Sequence, residues 1–484
     1  MASGYLLAVY FLVVAFAGLQ LKHKITALKS PLSKVPGPWY APLTTLHLQY
    51  LFSTGTIWKL VERSHAKYGS IVRLGPRQVW ISDKEALKEI LVKTDLPKVA
   101  IRPEPHKRLK RFLSPAFTVN YIDNLETFFK TTVRDVLNKY QTQINEDPVY
   151  YAKEGIEVDL MDDLHNVALD IMGESSFGKG FGQTNPDSMI EDGVDERIWK
   201  SIPRSIFDGL SKRYQTVYVK KFFRKFGIDI KFDWPAEMIT AIDAVVQRRK
   251  RTSEVERRDL LQHLIEEGKK PDTGTTMSAR DIVDQMAEVL LAGSETTSGT
   301  IGCLFLELAR NPDVRAKLLA TLPSKGFADD IVTSKSVRSE AQYEYLEACI
   351  KENLRLHPIA SEMGRRTGNQ WVKLCGYNLP PHAVVSASYR DLHRNETYWP
   401  QAGRFWPERW LSEDKREGAP APDMDAYYPF SGGKHSCIGI NFAWAEMRMV
   451  AANLLQRFDL LEVSGQDIDF RQYITMQFAT GHWK

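Results

Sequence analysis

Residues 278–310 form the longest periodic segment of the chain, and they limit its possible folds more than any other stretch. As one α-helix they would run roughly 48 Å. A rod of that length must cross the whole of any domain built around it. Its middle, Met286 to Thr297, is largely apolar, which suits a buried axle better than a surface helix. Inside it lies Ala292-Gly293-Ser294-Glu295-Thr296-Thr297. A glycine within a helix costs up to about 1 kcal/mol relative to alanine, so Gly293 needs a reason. A small residue there lets a flat ligand approach. Glu295 and Thr296 put an acid beside an alcohol, which offers protons a path. Thr296 can also bond back to a carbonyl and open the helix locally. The competing interpretation is a capping pattern on a solvated face, and the apolar residues on both sides argue against it.

The second constraint is Phe430-Ser431-Gly432-Gly433-Lys434-His435-Ser436-Cys437-Ile438-Gly439, with an apolar helix-like run from Ile440 directly after it. A thiolate at a helix N-terminus is held as an anion by the helix dipole and free N–H groups. Such a sulfur is a nucleophile or a metal ligand, and the loop amides can tune it. The glycines let the backbone pass close to a flat cofactor. The plainer alternative is a buried free cysteine. The four cysteines, Cys303, Cys349, Cys375 and Cys437, show no paired spacing. That fits a reducing compartment and disfavours a disulfide scaffold or a zinc site.

The pattern Phe-x-x-Gly-x-(Arg/His)-x-Cys-x-Gly resembles the haem-ligand loop of the cytochrome P450 family. The resemblance implies Cys437 as the axial ligand of haem b, whose thiolate favours O–O cleavage. It puts Phe430 under the haem, Gly433 and Gly439 in the loop, and His435 at a position commonly held by an arginine, donating to a propionate. The six residues of the long helix match the family's oxygen-activating motif, with Ala292 and Gly293 beside the haem and Glu295 and Thr296 delivering protons. Glu352 and Arg355 are an i, i+3 pair before Pro358, a spacing that on its own usually marks a weak surface ion pair. In the family this Glu-x-x-Arg is buried and joined by an arginine of a Pro-Glu-Arg-Trp segment, here Arg409, as a structural network. The segments 375–380 and 393–400 agree in order and spacing. A zinc hydrolase, a nucleophilic-cysteine enzyme or a structural protein would each explain one piece at most. The implied fold is mainly α with a small β-rich lobe (α+β), with the long central helix over the haem.

The rest of the chain is consistent with a large globular core, at 43% hydrophobic and 11% aromatic residues, and the net charge of +4 gives no sign of nucleic-acid binding. Residues 5–21 carry no charge and as a helix would span about 25 Å, while Lys22, Lys24, Lys29 and Lys34 follow them. Positive charge on that side favours an uncleaved anchor with a cytosolic body over a signal peptide, despite Ala15-Phe16-Ala17. Residues 1–21 are thus expected as an anchor, 22–38 as a basic and proline-rich linker that is stiff and non-helical through Pro31, Pro36, Gly37 and Pro38, and 39–484 as the haem-thiolate domain. Short strands are expected around Gly75-Pro76, with Asp83 capping the next helix. Helices should fill 120–310, with loops at 146–148 and 178–187. Phe177-Gly178-Lys179-Gly180-Phe181-Gly182 lacks the Gly-Lys-Ser/Thr ending of a phosphate loop and is taken as a helix terminator.

Two departures stand out against the resemblance. His106 and Lys110 occupy the family's Trp-x-x-x-Arg position and, with Arg365, are the expected propionate contacts. The connection 98–105 is about a dozen residues shorter than usual, in a segment that normally roofs the pocket. The C-terminal hairpin also looks clipped. Leu291, Ile359, Ala360, Met363 and Phe478 are the expected pocket walls, by family analogy. Lys107, Arg108, Lys110, Arg111, Lys434 and Arg448 would form a basic face for an acidic electron donor. The resemblance thus implies a monooxygenase of the endoplasmic reticulum membrane. It would use O2 and electrons from NADPH through cytochrome P450 reductase, with cytochrome b5 as a second donor, on a lipophilic, steroid- or terpenoid-like substrate. The alternatives are a haem-thiolate isomerase or dehydratase, and a catalytically impaired haem-binding membrane protein with a shortened pocket roof.

Overall fold

The long segment forms one unbroken helix, Ala279–Arg310. Ser278 and Asp281 cap each other reciprocally: the Asp281 N–H donates to Ser278 Oγ at 3.3 Å, and the Ser278 N–H donates to Asp281 Oδ2 at 2.8 Å. Asn311 ends it, and Pro312 opens the next helix, Pro312–Thr321. This computed structural model describes residues 18, 21–22, 24–98, 110–111, 113–185, 197–203, 223, 227–228, 235–251, 259–268, 274–326 and 330–484.

In the middle of the central helix Ser294, Thr296, Thr297, Ser298 and Thr300 each donate to the carbonyl four residues back. The Thr296 back-bond is therefore present, but the expected local opening is not. Successive hydroxyl bonds satisfy the carbonyls while the helical ladder stays intact. The helix packs against Leu160–Phe177 and against Ile440–Leu455, the helix behind Cys437, and the three share the main apolar core. A Cβ on Gly293 would lie 2.4 Å from Met172 Sδ, and one on Gly302 2.1 Å from Met161 Sδ. The smallness of Gly293 thus serves the close crossing of two helices, not the approach of a flat ligand.

The small lobe holds a four-stranded sheet in the order β1–β2–β6–β3, where β1 is Ile71–Gly75, β2 Gln78–Ile81, β3 Glu362–Arg366 and β6 Val384–Ser388. β1 and β3 run antiparallel to their neighbours, and β2 and β6 run parallel, Val79 facing Val385. The hairpin β4 (Val372–Leu374) and β5 (Tyr377–Leu379) packs beside it in a second core. Asp83 caps the short helix Lys84–Lys88 as expected, accepting from the Ala86 N–H at 2.9 Å. The proline-rich segment is not wholly non-helical: Pro31–Lys34 is a 3₁₀ turn. It is held against β1 by Arg73, whose N–H donates to Pro36 O at 2.8 Å and whose guanidinium reaches Ala27 O and Ser33 Oγ.

Pro148 opens a short helix capped by Asp147, where a loop was expected. The Phe177–Gly182 run ends its helix at a left-handed Gly178. Its amides are taken by carboxylates, since Gly180 N–H donates to Glu174 and the Phe181, Gln183 and Thr184 N–H groups donate to Asp170. The C-terminal segment forms a two-stranded hairpin. β7 (Phe470–Gln472) and β8 (Met476–Phe478) close it, and the buried Trp483 docks on the Leu160–Phe177 helix through the Met161 N–H at 3.4 Å. The expected anchor at 1–21 falls almost wholly outside the described residues. Among these, Arg280–Arg310 is the helix long and apolar enough to cross a membrane, and it is the buried axle of the fold.

Candidate functional site

The cysteine loop is fixed from beneath by a buried histidine. Tyr428 N–H donates to His393 Nε2 at 2.8 Å, and burial together with the Arg355 charge pushes the His393 pKa down to about 3. His393 is therefore a neutral acceptor near pH 7. The loop then turns through Ser431 at φ +61° and Gly433 at φ +65°. A Cβ on Gly433 would lie 1.9 Å from Leu91 O, so this glycine docks the loop on the backbone of the small lobe. Cys437 N–H returns to Phe430 O at 2.9 Å, and the half-buried Phe430 packs against the main core.

Cys437 is open on one side. Burial of the rest of the group pushes the thiol up from its ordinary value, while a bond from the Gly439 N–H and the charges of Lys98 and Lys110 pull it down. Lys110 Nζ clamps the loop by donating to Lys434 O at 2.8 Å and Ser436 O at 2.6 Å. His435 Nε2 lies 4.0 Å from Asp95 Oδ1, and Lys434 Nζ lies 3.5 Å from Asp95 Oδ2. His106, Lys107, Arg108 and the stretch 99–105 lie outside the described residues.

Arg365 decides what this cavity can hold. It is 0% exposed, and its Nε, Nη1 and Nη2 have no hydrogen-bond partner among the described residues. Beside it stands Lys98, bridged to Arg365 across the edge of β3 and repelled by both Arg365 and Lys110. Burial and that repulsion hold Lys98 below its ordinary value. Asp95 is the near carboxylate that acts on Arg365 and Lys110, yet it makes no hydrogen bond to the buried guanidinium, and a buried cation left without a hydrogen-bond partner calls for an anionic ligand. A flat macrocycle with two carboxylates and a metal that accepts a thiolate matches these donors. Lys98 was not legible as a contact; its one signal is its position at the start of the shortened connection.

The central helix borders this cavity. Asp284, Glu288 and Ala292 stay exposed at four-residue spacing on a largely buried helix, with the half-buried Thr296 next in the row. Lys98 senses the charges of both Glu288 and Cys437, which places that row opposite the sulfur. Glu295 is half-buried, and its burial raises its pKa above the usual carboxylate value. Thr296 Oγ1 donates to Ala292 O at 2.7 Å.

Behind the loop, Glu352, Arg355 and Arg409 are fully buried. Arg355 forks onto both Glu352 oxygens at 2.9 and 2.8 Å and donates to His393 O, Ala402 O and Arg404 O. Trp406 N–H and Trp410 Nε1 complete the carboxylate, and Arg409 Nε approaches it to 3.4 Å. Among the expected walls, Leu291, Ala360 and Met363 are half-buried and Ile359 is buried. Phe478 is core: it stacks on Trp483 and meets Phe470 at a tilt. Along β8 the side chains alternate, so Gln477 and not Phe478 turns toward the Glu295 backbone. Arg448 of the expected basic face is paired with Glu347 and lies over Trp444 at 4.8 Å.

A cysteine sulfur at a helix start, a cluster of cations with an orphaned buried arginine among them and an acid beside an alcohol on the central helix fit a haem-thiolate protein. The chain belongs to the cytochrome P450 family, whose model matches residues 35–480. It is 29% identical to a protein named cytochrome P450 monooxygenase acrD of Aspergillus aculeatus, over 96% of this chain and 92% of the relative. It is 28% identical to cytochrome P450 monooxygenase FUS8 of Gibberella fujikuroi, over 94% of this chain and 88% of the relative. To cytochrome P450 3A9 of Rattus norvegicus it is also 28% identical, over 88% and 85%. The protein is a cytochrome P450 monooxygenase with haem on a cysteine thiolate.

Proposed function

We propose that the protein hydroxylates a steroid- or terpenoid-like substrate, R–H + O2 + 2 e⁻ + 2 H⁺ giving R–OH and H2O, with electrons from NADPH through cytochrome P450 reductase and cytochrome b5 as a second donor. The observation that carries the site is the orphaned, buried Arg365 guanidinium, bridged at β3 to Lys98, which in turn senses the charge of Cys437. Haem, when bound, supplies the redox chemistry and the activation of oxygen. Cys437 would hold the iron, and Arg365, Lys98, Lys110 and His435 would be the candidate partners of its carboxylates, with His106 added by the family resemblance. Glu295, whose pKa burial raises above the usual carboxylate value, is the proton donor of the relay, and Thr296 Oγ1 hands the proton on. The half-buried Leu291, Ala360 and Met363 suit an apolar substrate.

The proposed setting is the endoplasmic reticulum membrane, with residues 1–21 as anchor, 22–38 as linker and 39–484 as the cytosolic domain. Trp39 is 81% exposed, and Leu46 and Tyr50, four apart on one helix, are 70% and 67% exposed, which suits a surface resting on lipid. Full-length protein with reductase should consume NADPH and oxygenate members of a lipophilic panel, and its reduced carbon-monoxide complex should show the thiolate-ligated Soret band. A normal band with no product from any compound would favour the impaired reading, for which the short 98–105 connection is the motive. Turnover of a hydroperoxide without NADPH would favour the isomerase reading, although the intact Glu295-Thr296 pair speaks against it.

A further inference from the structure

The carboxylate of Glu295 does not bond Thr296. Its Oε2 accepts from Thr475 Oγ1 at 3.0 Å, and Thr475 sits in the turn between β7 and β8. Two further groups of the same hairpin converge there. Gln477 Nε2 donates to the Glu295 backbone carbonyl at 2.8 Å, and the Arg471 charge pulls the Glu295 acidity back toward its ordinary value. The contact depends on Gly299, one turn further along the central helix. A Cβ there would stand 2.9 Å from Gln477 Oε1, so only a bare backbone lets the amide lie flat across the helix. The hairpin is itself pinned at both strands, by Gln472 N–H to Gly55 O at 2.7 Å and Met476 N–H to Ile359 O at 2.8 Å. Ile359 is one of the expected pocket walls. Tyr473 and Ile474 at its tip stay half-exposed.

We infer that Thr475 is a positioning residue for proton delivery: its hydroxyl holds the Glu295 carboxylate turned to the C-terminal hairpin and away from Thr296, so the acid reaches the alcohol only when the hairpin lets it go. The inference rests on the relay role assigned to Glu295. A hydroxyl that donates to a carboxylate stabilises its charged form, so Thr475 also sets when Glu295 carries its proton. The hairpin joins the pocket wall to the relay in one covalent unit, which couples proton supply to the position of an element outside the reacting centre.

The test uses full-length holoenzyme with reductase and the variants Thr475→Val, Thr475→Ser, Glu295→Gln and Thr475→Val/Glu295→Gln. The first readout needs no turnover. The infrared band of protonated Glu295, identified by its disappearance in Glu295→Gln, is followed against pH in the resting protein. Its midpoint should rise by about one pH unit in Thr475→Val and stay in place in Thr475→Ser. The second readout is the share of NADPH electrons that leave as hydrogen peroxide instead of product. It should change at least threefold in Thr475→Val, with the substrate-binding spectral Kd within twofold of wild type, and the double variant should match Glu295→Gln. An unmoved midpoint overturns the inference, as does a Thr475→Ser protein as altered as Thr475→Val, or a double variant worse than Glu295→Gln. A wild-type peroxide share in Glu295→Gln would sink the relay reading itself, and the consequence with it, while the midpoint would still report the contact.

Discussion

Arg355 and Arg365 are ten residues apart, both 0% exposed, and opposite in their surroundings. Arg355 spends each of its nitrogens on the carboxylate of Glu352 or on carbonyls of the segment that leads to the cysteine loop. Arg365 has none of its three nitrogens bonded among the described residues, and a second cation, Lys98, stands against it. A buried ion pair with every lone pair satisfied can be self-sufficient, whereas a buried cation without a partner is costly. One arginine is therefore finished by the polypeptide and the other by a ligand. The difference separates what holds the loop from what holds the cofactor.

The sharpest way to break this comparison is to remove each arginine in turn. Arg355→Met strands the Glu352 carboxylate in the core and should cost about 3–5 kcal/mol, enough to abolish recovery of folded protein. Gly433→Ala comes next, because its Cβ must enter the space of Leu91 O at a backbone φ of +65°. It should cost at least about 2 kcal/mol and detach the loop from the small lobe, read as a lower melting temperature and haem loss. Arg365→Met should do something different. Apoprotein stability should hold or rise, since an unpaired buried charge has gone, while haem transfer to an acceptor globin speeds up by at least about tenfold. If Arg365→Met destabilises the apoprotein as Arg355→Met does, the two arginines are alike and the distinction fails.

How far the sequence foretold this contrast depends on how far apart in the chain each interaction lies. Glu352 and Arg355 are one helical turn apart, so their pairing is written in the spacing; their burial was supplied by the family resemblance. The central helix was legible from periodicity. Glycines were visible, but their reasons were not: Gly293 answers to Met172 on another helix, and Gly433 to a carbonyl more than three hundred residues earlier. Lys98 became a rim cation because strand pairing sets it beside Arg365, and no local pattern encodes that register. Phe478 was misplaced for a similar reason, since a strand as short as β8 does not reveal which face its side chains take.

A third charge, only half-buried, sharpens the comparison, because it is relieved by neither a counter-charge nor a ligand. Glu362, three residues before Arg365, accepts from the Trp80 indole N–H, yet burial and the nearby Asp391 raise its pKa to about 7. It is relieved by keeping its proton. The unfolded chain releases that proton near 4.5 and the folded protein only near 7, so between those values the folded state binds more protons and stability falls as pH rises. Above about pH 7 the loss is complete, on the order of 3 kcal/mol. Glu362→Gln keeps an acceptor for Trp80 without a charge. Its melting temperature should match wild type near pH 4.5 and exceed it at pH 8. Asp391, also raised by burial, is the competing source of such a trend. Were it the true source, the variant would lose stability with pH as steeply as wild type, and Glu362 would be one more satisfied charge like Glu352.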